Sequence, residues 1–388
     1  MEKIIIKKNS QKRLKSGSLW IYSNELTEVP QYPSGTIVEV ISEDGNNYGI
    51  GFYNPNSLIS VRLLLTQREP DLEFFRDRIE QAHNLRKRVF PEEASYRLVF
   101  GESDFLPGLV IDKYQDYFAI QYFSAGMEIR KELIINSLLE LFPETNGIIE
   151  KNSFRARKNE GLNQYEKVVF GEIPDEITIT ENGIKYSFSL QESQKTGFYL
   201  DQKENRLFVR RISKDMNVLD CYCNLGGFSL NSAWGRAKKV VGIDSSENTL
   251  QFARRNTDIN NLKNVKFIKS DVETFLKNEI NNGNYWNMII LDPPSFAHSK
   301  KDVPVAKKGY SKINNLALRL LNQGGWLVTS SCTQYIYEDV FQYIIKKEAI
   351  NLNKKIRLVF RGMQSPDHPI LESIPETKYL KFLVYQVF

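Results

Sequence analysis

Four acidic residues follow apolar runs at regular intervals in the C-terminal half of the chain. They are Asp220, Asp244, Asp271 and Asp292. The carboxyl ends of parallel strands meet at one edge of an α/β sheet, and ligands bind at that edge. A single aspartate after a strand most often caps the next helix or turn. Four in succession along one sheet instead predict a group of carboxylates around a ligand.

The turn after the first of these strands narrows the class of ligand. It reads CYCNLGGF, with adjacent glycines at Gly226 and Gly227, whereas a dinucleotide site has three spaced glycines that hold a pyrophosphate. Glycines let the backbone approach a ligand closely, so a nucleoside without phosphates suits this turn. S-adenosylmethionine (SAM) is such a ligand. Asp244 then stands where a carboxylate accepts hydrogen bonds from ribose hydroxyls, and Asp271 stands near the adenine.

The motif DPPSF follows the fourth strand of this series, from Asp292 to Phe296. Its two prolines fix the backbone and remove two N–H donors. The motif is therefore either a stiffened strand exit or a rigid rim for a planar base. Because acidic residues end the neighbouring strands, we favour the rim, with Asp292 or backbone carbonyls facing the polar edge of the base.

Cys332, in SSCTQY, ends the fifth strand and is predicted to lie at the same edge. A free cysteine is most often a small buried apolar residue, but a thiolate here could add covalently to a pyrimidine ring. Cys221 and Cys223 lie near the same pocket. A C-x-C pair without further Cys or His is a weak metal signal, and we interpret both as packing of the turn. The lone histidines His298 and His368 imply no metal site.

Strands and helices alternate from about residue 191 onward and predict a doubly wound, seven-stranded, Rossmann-like α/β sheet. Upstream, short β-branched runs bounded by turn residues predict a small β-barrel over residues 1–70. Residues 71–190 combine helical spacing, as in DLEFFRDRIEQAHNLRKRVF, with alternating strands, and predict a central α+β domain. The predicted domains are therefore 1–70, 71–190 and 191–388.

The overall composition is that of a soluble globular protein, with 41% hydrophobic and 26% charged residues among 388. The net charge of +5 permits a polyanionic partner without requiring one. Three cysteines cannot form a disulfide framework, which indicates a reducing compartment. The first residues do not resemble a signal peptide, and no apolar run is long enough to span a bilayer. We expect a cytoplasmic protein without a membrane partner.

In their order along the chain, several motifs resemble those of the bacterial SAM-dependent 23S ribosomal RNA (cytosine-5-)-methyltransferases that carry an N-terminal PUA domain. The resemblance covers essentially the whole chain. GSLWIYSNEL resembles the start of the PUA domain, and GESDFLPGLVIDKY resembles the signature of the central domain. The motifs QKTGFYLDQKENR, LDCYCNLGGFS, GIDSS, DPPSF, GGWLVTSSC and DHPI then follow in the family's order.

This resemblance implies a mechanism and a set of site residues. Cys332 would add to C6 of a cytosine so that C5 can accept the methyl group, and Asp292 would contact or protonate the pyrimidine ring. The base that removes the C5 proton is not identified. The residues predicted to line the SAM pocket are Phe198, Asp220, Cys221, Asn224, Gly226, Gly227, Asp244, Ser245, Asp271, Val272, Asp292 and Pro293.

The partner implied by the resemblance is 23S rRNA, whose target base must leave its stack to be methylated. Two basic segments offer phosphate contacts, Lys3–Lys15 and the sequence KNSFRARK at Lys151–Lys158. A solvated basic face is an equally weighted alternative for each segment. The edge strands and the PUA domain permit a homodimer without requiring one.

Two other functions stay open at the level of the sequence. Many RNA 5-methylcytosine enzymes carry a second cysteine in the fourth-strand motif, where this chain has Ser295. The PUA-containing branch resembles this single-cysteine pattern. DPPSF also resembles the motif of amino methyltransferases, so a guanine or an exocyclic amine is an alternative target. The other alternative is a non-catalytic RNA-binding factor in ribosome assembly.

Overall fold

The computed structural model describes residues 1–193, 195–297 and 299–388. The chain forms two compact units, each made of separate segments of sequence. The first contains Met1–Ile179, Ser189–Phe198 and Pro366–Thr377, and the second contains Thr180–Phe188, Tyr199–Ser365 and Lys378–Phe388. Within the described residues, no helix has both the length and the apolar character needed to cross a membrane. The division into three domains stays a prediction.

The first unit begins with a five-stranded sheet and one short helix. Its elements are β1 (Glu2–Ile6), α1 (Gln11–Lys15), β2 (Trp20–Tyr22), β3 (Thr36–Ser42), β4 (Asn47–Tyr53) and β5 (Ile59–Leu63), in the sheet order β1-β3-β4-β5-β2. The chain just after β2 bonds back to β1: the Thr27 N–H donates to the Ile5 carbonyl at 3.0 Å and the Lys7 N–H to the Glu25 carbonyl at 2.9 Å. These bonds join the two edges of the sheet, as expected for a small barrel.

A second sheet and three helices complete most of the first unit. The elements are α2 (Leu72–Val89), β6 (Ser95–Phe100), β7 (Leu109–Tyr114), β8 (Tyr117–Tyr122), α3 (Ala125–Ile129), α4 (Lys131–Leu141), β9 (Gly147–Lys151) and β10 (Glu166–Gly171), with the sheet order β10-β9-β8-β7-β6. Helix α2 begins where the sequence predicts, because the Asp71 carboxylate accepts a hydrogen bond from the Phe74 N–H at 2.9 Å. Its apolar face, including Phe75 and Ile79, packs into the core of this sheet.

A segment from the C-terminal region also belongs to the first unit. Leu371 and Ile374 pack against the core of the five-stranded sheet. Asp367 accepts a hydrogen bond from the Arg97 N–H at 2.9 Å. The DHPI motif therefore contributes to the packing of the first unit, and no periodicity in the sequence indicates this.

The second unit contains the doubly wound sheet that the sequence predicts. The chain enters this unit at Thr180, within strand β11 (Ile177–Glu181). The strands and helices that follow are β12 (Ile184–Phe188), α5 (Lys203–Ile212), β13 (Asn217–Cys221), α6 (Gly227–Trp234), β14 (Lys239–Asp244), α7 (Glu247–Ile259), β15 (Val265–Lys269), α8 (Val272–Asn281), β16 (Trp286–Leu291), α9 (Val303–Leu320), β17 (Leu321–Ser331), α10 (Glu338–Asn351), β18 (Ile356–Gly362) and β19 (Lys381–Val387). The seven-stranded sheet has the order β15-β14-β13-β16-β17-β19-β18.

Strands β13 to β17 are parallel, and β19 pairs antiparallel with both β17 and β18. Apolar clusters cover both faces of the sheet. Leu219 and Cys221 of β13 point into one cluster, and Val218, the residue before Leu219, points into the other. This alternation is the pattern of a strand buried on both sides.

The sequence analysis missed one helix of this unit. Helix α10 has buried apolar residues at helical spacing, with Phe341, Ile344, Ile345 and Ala349 in the core. That spacing is a signal that could have found it. Helix α9 begins at Val303 and has a proline in its first turn, where the ring fits the helix.

Candidate active site

The parallel pairing brings the predicted acidic strand ends to one edge of the sheet. Cys221, the last residue of β13, lies opposite Ile243 of β14 and opposite Leu291 of β16. Asp220, Asp244 and Asp292 therefore occupy the carboxyl ends of three adjacent strands. Strand β17 pairs with β16 on the far side, so Cys332, directly after β17, lies at the same edge.

The turn between β13 and α6 folds back over the end of β14. The Cys223 N–H donates to the Ile243 carbonyl at 3.0 Å. Gly226 has a φ of +83°, and a Cβ atom there would lie 2.7 Å from Leu230 Cδ1 and 3.0 Å from Phe267 Cζ. Gly226 is thus required by the turn and by packing inside the protein. At Gly227 a Cβ would lie 3.1 Å from Arg206 Cδ.

Asp244 fixes this turn through both of its carboxylate oxygens. Oδ2 accepts a hydrogen bond from the Asn224 N–H and Oδ1 accepts one from the Ser246 N–H, each at 3.0 Å. Asp244 is partly exposed and Ser245 is exposed. Because a carboxylate has about four acceptor positions, Asp244 can still accept hydrogen bonds from the hydroxyls of a ligand.

Asp271 serves as the cap of helix α8. Its Oδ1 accepts hydrogen bonds from the Thr274 N–H at 2.9 Å and from the Thr274 hydroxyl at 2.8 Å. Val272, the first residue of α8, is buried in the core, whereas Asp271 is exposed. For this aspartate the capping interpretation is correct, and a contact with adenine stays a prediction.

Asp220 carries a buried acceptor without a partner. Its Oδ2 accepts a hydrogen bond from the Ser229 hydroxyl at 2.6 Å. Its Oδ1 is buried and has no hydrogen-bond partner among the described residues. Burial raises the pKa of the Asp220 carboxyl to about 7, and the charges of Asp292 and Asp244 add to this increase. A buried acceptor of this kind indicates a donor supplied by a ligand.

Asp292 is held by two side chains that the sequence analysis did not assign. Its Oδ1 accepts hydrogen bonds from Gln202 Nε2 at 3.0 Å and from the Ser330 hydroxyl. Burial raises the pKa of the Asp292 carboxyl to about 6. Pro293, the next residue, is buried. A carboxyl group with a pKa near neutrality can act as an acid or a base at physiological pH.

The three cysteines differ in exposure. Cys332 is partly exposed, whereas Cys221 and Cys223 are buried. Burial raises the pKa values of the Cys221 and Cys223 thiols well above the ordinary value, so neither is reactive as a thiolate. This agrees with their interpretation as packing residues.

The segment that carries Cys332 is anchored to helix α9 on both sides of the cysteine. The Ser331 hydroxyl donates to the Tyr310 hydroxyl oxygen at 2.9 Å, and the Tyr310 and Thr333 hydroxyls are 2.7 Å apart. Tyr310 is fully buried, and burial raises its pKa to about 12, so its hydroxyl stays neutral. These bonds fix the backbone at Cys332.

Two further predictions concern residues outside this edge. Phe198 belongs to the first unit, where it is buried and its carbonyl accepts a hydrogen bond from the Tyr114 hydroxyl at 3.0 Å. Its role in the SAM pocket stays a prediction. His298 lies outside the described residues. In the ranges that the structure covers, no group of three or more His, Cys, Asp or Glu residues could hold a metal ion.

Comparison with known proteins matches two family models to the chain. Residues 4–66 match a PUA-like domain, and residues 157–383 match an S-adenosylmethionine-dependent methyltransferase. Among curated proteins, the chain is 37% identical over 390 residues to "Ribosomal RNA large subunit methyltransferase I" of Tolumonas auensis, with 98% of each chain covered. The protein of the same name from Vibrio cholerae is 38% identical over 387 residues, with 97% of each covered.

Two solved structures share the fold over the full length of the chain. One is named as a SAM-dependent methyltransferase from Streptococcus mutans, with a TM-score of 0.86 and 21% identity. The other is a methyltransferase complexed with SAH, with a TM-score of 0.87 and 22% identity. In both cases 100% of each chain is covered. These likenesses agree with the predicted PUA-like and methyltransferase folds.

The methyltransferase model covers more than half of the chain, and SAM is the cofactor of this domain. The residues at the carboxyl edge fit this cofactor. The unpartnered Asp220 Oδ1 can accept a hydrogen bond from an ammonium or hydroxyl group. Asp244, for which the sequence predicts a contact with the ribose, retains acceptor capacity.

Proposed function

Because this chain belongs to the ribosomal RNA large subunit methyltransferase I family, we propose that it methylates C5 of a cytosine in 23S rRNA through a covalent adduct with Cys332. The observation that carries this proposal is the exposure of one cysteine at the edge where the acidic residues meet. Cys332 is partly exposed there, and the two buried cysteines are not available for reaction.

The proposed reaction begins with addition of the Cys332 thiolate to C6 of the cytosine. The new S–C6 bond moves electron density to C5, which is otherwise a poor nucleophile. SAM supplies the electrophilic methyl group that C5 takes up. A base then removes the proton from C5, and the electrons of that bond re-form the ring double bond as the thiolate leaves.

Asp292 is proposed to stabilise the adduct. Its pKa of about 6 lets it carry a proton for part of the time at neutral pH. A protonated carboxyl can donate a hydrogen bond to the pyrimidine ring, which gains electron density when the thiolate adds. Gln202 and Ser330 hold the carboxyl in one orientation through Oδ1. The second oxygen, Oδ2, is then the one proposed to face the base.

The cofactor pocket is proposed to lie along the ends of β13, β14 and β15. Asp220 and Asp244 provide acceptors, and the turn at Asn224 and Gly226 provides the wall between them. The remaining predicted lining residues belong to the same proposal. They are Cys221, Gly227, Ser245, Asp271, Val272, Asp292 and Pro293.

For the RNA, the structure separates the two basic segments named above. In KNSFRARK, Lys151 pairs with Glu166 at 2.6 Å, and the fully buried Arg157 pairs with Glu128. Those two residues stabilise the first unit and are not free for phosphates, so the RNA-binding expectation for them is wrong. In the N-terminal segment, Lys8, Lys12 and Lys15 are exposed. We therefore propose the N-terminal segment as a phosphate-contacting surface.

The experiment that tests the proposal is methyl transfer from labelled SAM to total rRNA from cells that lack this protein, followed by nucleoside analysis. The wild type, Cys332→Ala and, as a matched control, Cys223→Ala are compared. We expect 5-methylcytosine with the wild type and the control, and none with Cys332→Ala. A different methylated nucleoside would favour the alternative target base, and activity of Cys332→Ala would exclude the covalent mechanism. No methyl transfer with the wild type would favour the non-catalytic assembly factor.

A further inference from the structure

Lys381 is a buried lysine next to the segment that carries Cys332. It is the first residue of β19 and lies opposite Ser331, the last residue of β17, in the antiparallel pairing. Only 5% of its surface is exposed. Its Nζ donates hydrogen bonds to the carbonyls of Thr333 at 2.7 Å and Tyr379 at 2.8 Å. The ammonium is thus held at Thr333, the residue after Cys332, and the backbone of Lys381 lies opposite Ser331, the residue before Cys332.

Among the residues that the structure describes, this buried ammonium has no carboxylate partner. Lys381 forms no ion pair within the described residues, whereas the equally buried Lys151 pairs with Glu166 at 2.6 Å. A buried charge is costly unless an opposite charge compensates it. Burial lowers the pKa of Lys381 to about 8, and the charges of Cys332 and Glu338 oppose this decrease.

The charged and titratable groups around Lys381 leave Cys332 as its anionic neighbour. Glu338 of α10 already pairs with Arg361 of β18 at 3.4 Å. Lys378 repels the ammonium and lowers its pKa further. Tyr310 of α9, which also interacts with the charge of Cys332, has a pKa of about 12 and is neutral. The Cys332 thiolate is therefore the group that can compensate the charge.

Lys354, a second lysine in this unit, has hydrogen bonds that explain a purely structural role. Lys354 donates to the carbonyls of Leu318 and Leu321, the latter at 3.0 Å. These carbonyls lie at the C-terminal end of α9, where the helix dipole favours a positive charge. The carbonyls of Thr333 and Tyr379 belong to no helix, so Lys381 lacks that compensation.

We propose that Lys381 is a positioning residue that stabilises the thiolate of Cys332 and so increases the fraction of reactive enzyme at neutral pH. This proposal rests on the proposed function, in which Cys332 is the nucleophile. The thiol proton leaves to solvent, and Lys381 remains an ammonium throughout. It forms no covalent bond, and it stabilises the thiolate again when the thiolate leaves the methylated base.

The test measures the thiolate directly, without RNA or SAM. Full-length protein is alkylated with iodoacetamide between pH 5 and pH 10, and the rate at Cys332 is followed by mass spectrometry of its peptide. The variants are Lys381→Met, Lys381→Gln and Lys381→Arg, with Lys354→Met as the matched control. Because the thiolate is the reacting species, the pH midpoint of the rate reports its stabilisation.

For Lys381→Met and Lys381→Gln we expect the midpoint to rise by about one pH unit, so that alkylation near pH 7 slows roughly tenfold. Lys381→Arg retains the charge and should restore most of the wild-type profile. Lys354→Met should leave the profile unchanged. Lys381→Gln retains a hydrogen-bond donor, so it decides the test if Lys381→Met does not fold.

Superimposable alkylation profiles for the wild type and a folded, uncharged Lys381 variant would overturn the proposal. So would an equal shift in Lys354→Met, because the effect would then be structural. Failure of the proposed function is distinguished by the rRNA assay: methylation that survives in Cys332→Ala excludes the nucleophile whatever the alkylation profile shows. In the rRNA assay, Lys381→Gln should lower kcat and move its pH dependence to higher pH.

Discussion

Buried charges are treated differently in the first unit and at the carboxyl edge of the seven-stranded sheet. In the first unit, the fully buried Arg86 forms a two-point pair with Asp104, whose Nη2–Oδ2 distance is 2.7 Å. Arg97 forms a similar pair with Asp112, with distances of 2.7 and 2.8 Å. At the carboxyl edge, Asp220 and Asp292 form no ion pair within the described residues.

The arginine–aspartate pairs of the first unit stabilise the fold, whereas the unpaired carboxyl groups at the edge are available to interact with a ligand. A buried arginine whose N–H groups all have acceptors is fixed in one state. A desolvated carboxyl without a cation has a raised pKa instead, about 7 for the buried Asp220 and about 6 for the partly exposed Asp292. Such groups destabilise the protein alone and become favourable when a ligand supplies the missing donor or charge. Perturbed pKa values of this kind are characteristic of functional sites.

The largest expected effect on stability comes from breaking a compensated pair in the first unit. Arg86→Met leaves the Asp104 carboxylate buried without its cation and also removes the hydrogen bond to the Asp367 carbonyl. We expect the free energy of unfolding to fall by about 3–5 kcal/mol, measured by urea denaturation. Arg88→Met, an exposed arginine of the same helix, should change it by roughly 0.5 kcal/mol or less.

A double variant sharpens this first prediction. In Arg86→Met combined with Asp104→Leu, both charges are removed, and part of the lost stability should return. The opposite result would be a further fall in the free energy of unfolding when Asp104→Leu is added to Arg86→Met, as large as that of an unrelated core substitution. The pair would then not be what stabilises this region.

The next largest effect is expected on catalysis at the carboxyl edge. Asp292→Asn removes the titratable proton but preserves the shape of the side chain. We expect methyl transfer to slow by about 10²–10³-fold, with the unfolding midpoint little changed. The matched control is Asp258→Asn, an exposed aspartate of α7. Activity of Asp292→Asn close to that of the control would show that Asp292 is only part of the strand exit.

A smaller effect is expected on the pH dependence of stability. The pKa of Asp220 in the folded protein, about 7, is above the value of about 3.9 in an unfolded chain. The folded state therefore binds the proton more tightly, so without SAM stability falls as the pH rises from about 4 to about 7. Asp220→Asn removes this contribution and should be the more stable protein at pH 8, by on the order of 1–3 kcal/mol.

This prediction is checked by thermal unfolding of SAM-free protein at several pH values. Asp258→Asn should follow the wild type, and Asp220→Asn should show a flatter curve together with weaker SAM binding. Parallel curves for all three proteins would mean that Asp220 titrates as an ordinary carboxyl group.

The smallest effect is expected at Asp271, which belongs to the edge but has partners. Asp271→Ala removes the cap of α8 and should lower stability by about 1 kcal/mol. Asp271→Asn retains a capping oxygen and should be near the wild type. SAM affinity, measured by calorimetry, separates the two roles: a loss in Asp271→Asn at unchanged stability would indicate a direct contact with the cofactor. Unchanged affinity in both variants would leave capping as its only role.

The sequence was sufficient for the fold class and for the edge of the sheet at which the acidic strand ends meet. Apolar runs that end in acidic residues predicted parallel strands, and the missing third glycine favoured SAM over a dinucleotide. Both inferences depend on local spacing along the chain, which the sequence displays directly. Helix α10 was missed although the helical spacing of its apolar residues is equally local. The signal was therefore present in the sequence, and our interpretation overlooked it.

The sequence by itself therefore determined the strands, the order of the acidic residues and the position of Cys332. Only the tertiary structure decided which charges are compensated. The sequence KNSFRARK was equally compatible with a nucleic-acid surface and with a solvated basic face, and in the structure Lys151 and Arg157 are instead buried and paired with Glu166 and Glu128. Lys381, 49 positions after Cys332 in the numbering, lies beside it because β19 pairs with β17. Burial and charge pairing depend on contacts between residues that are distant in sequence, and local patterns carry no information about them.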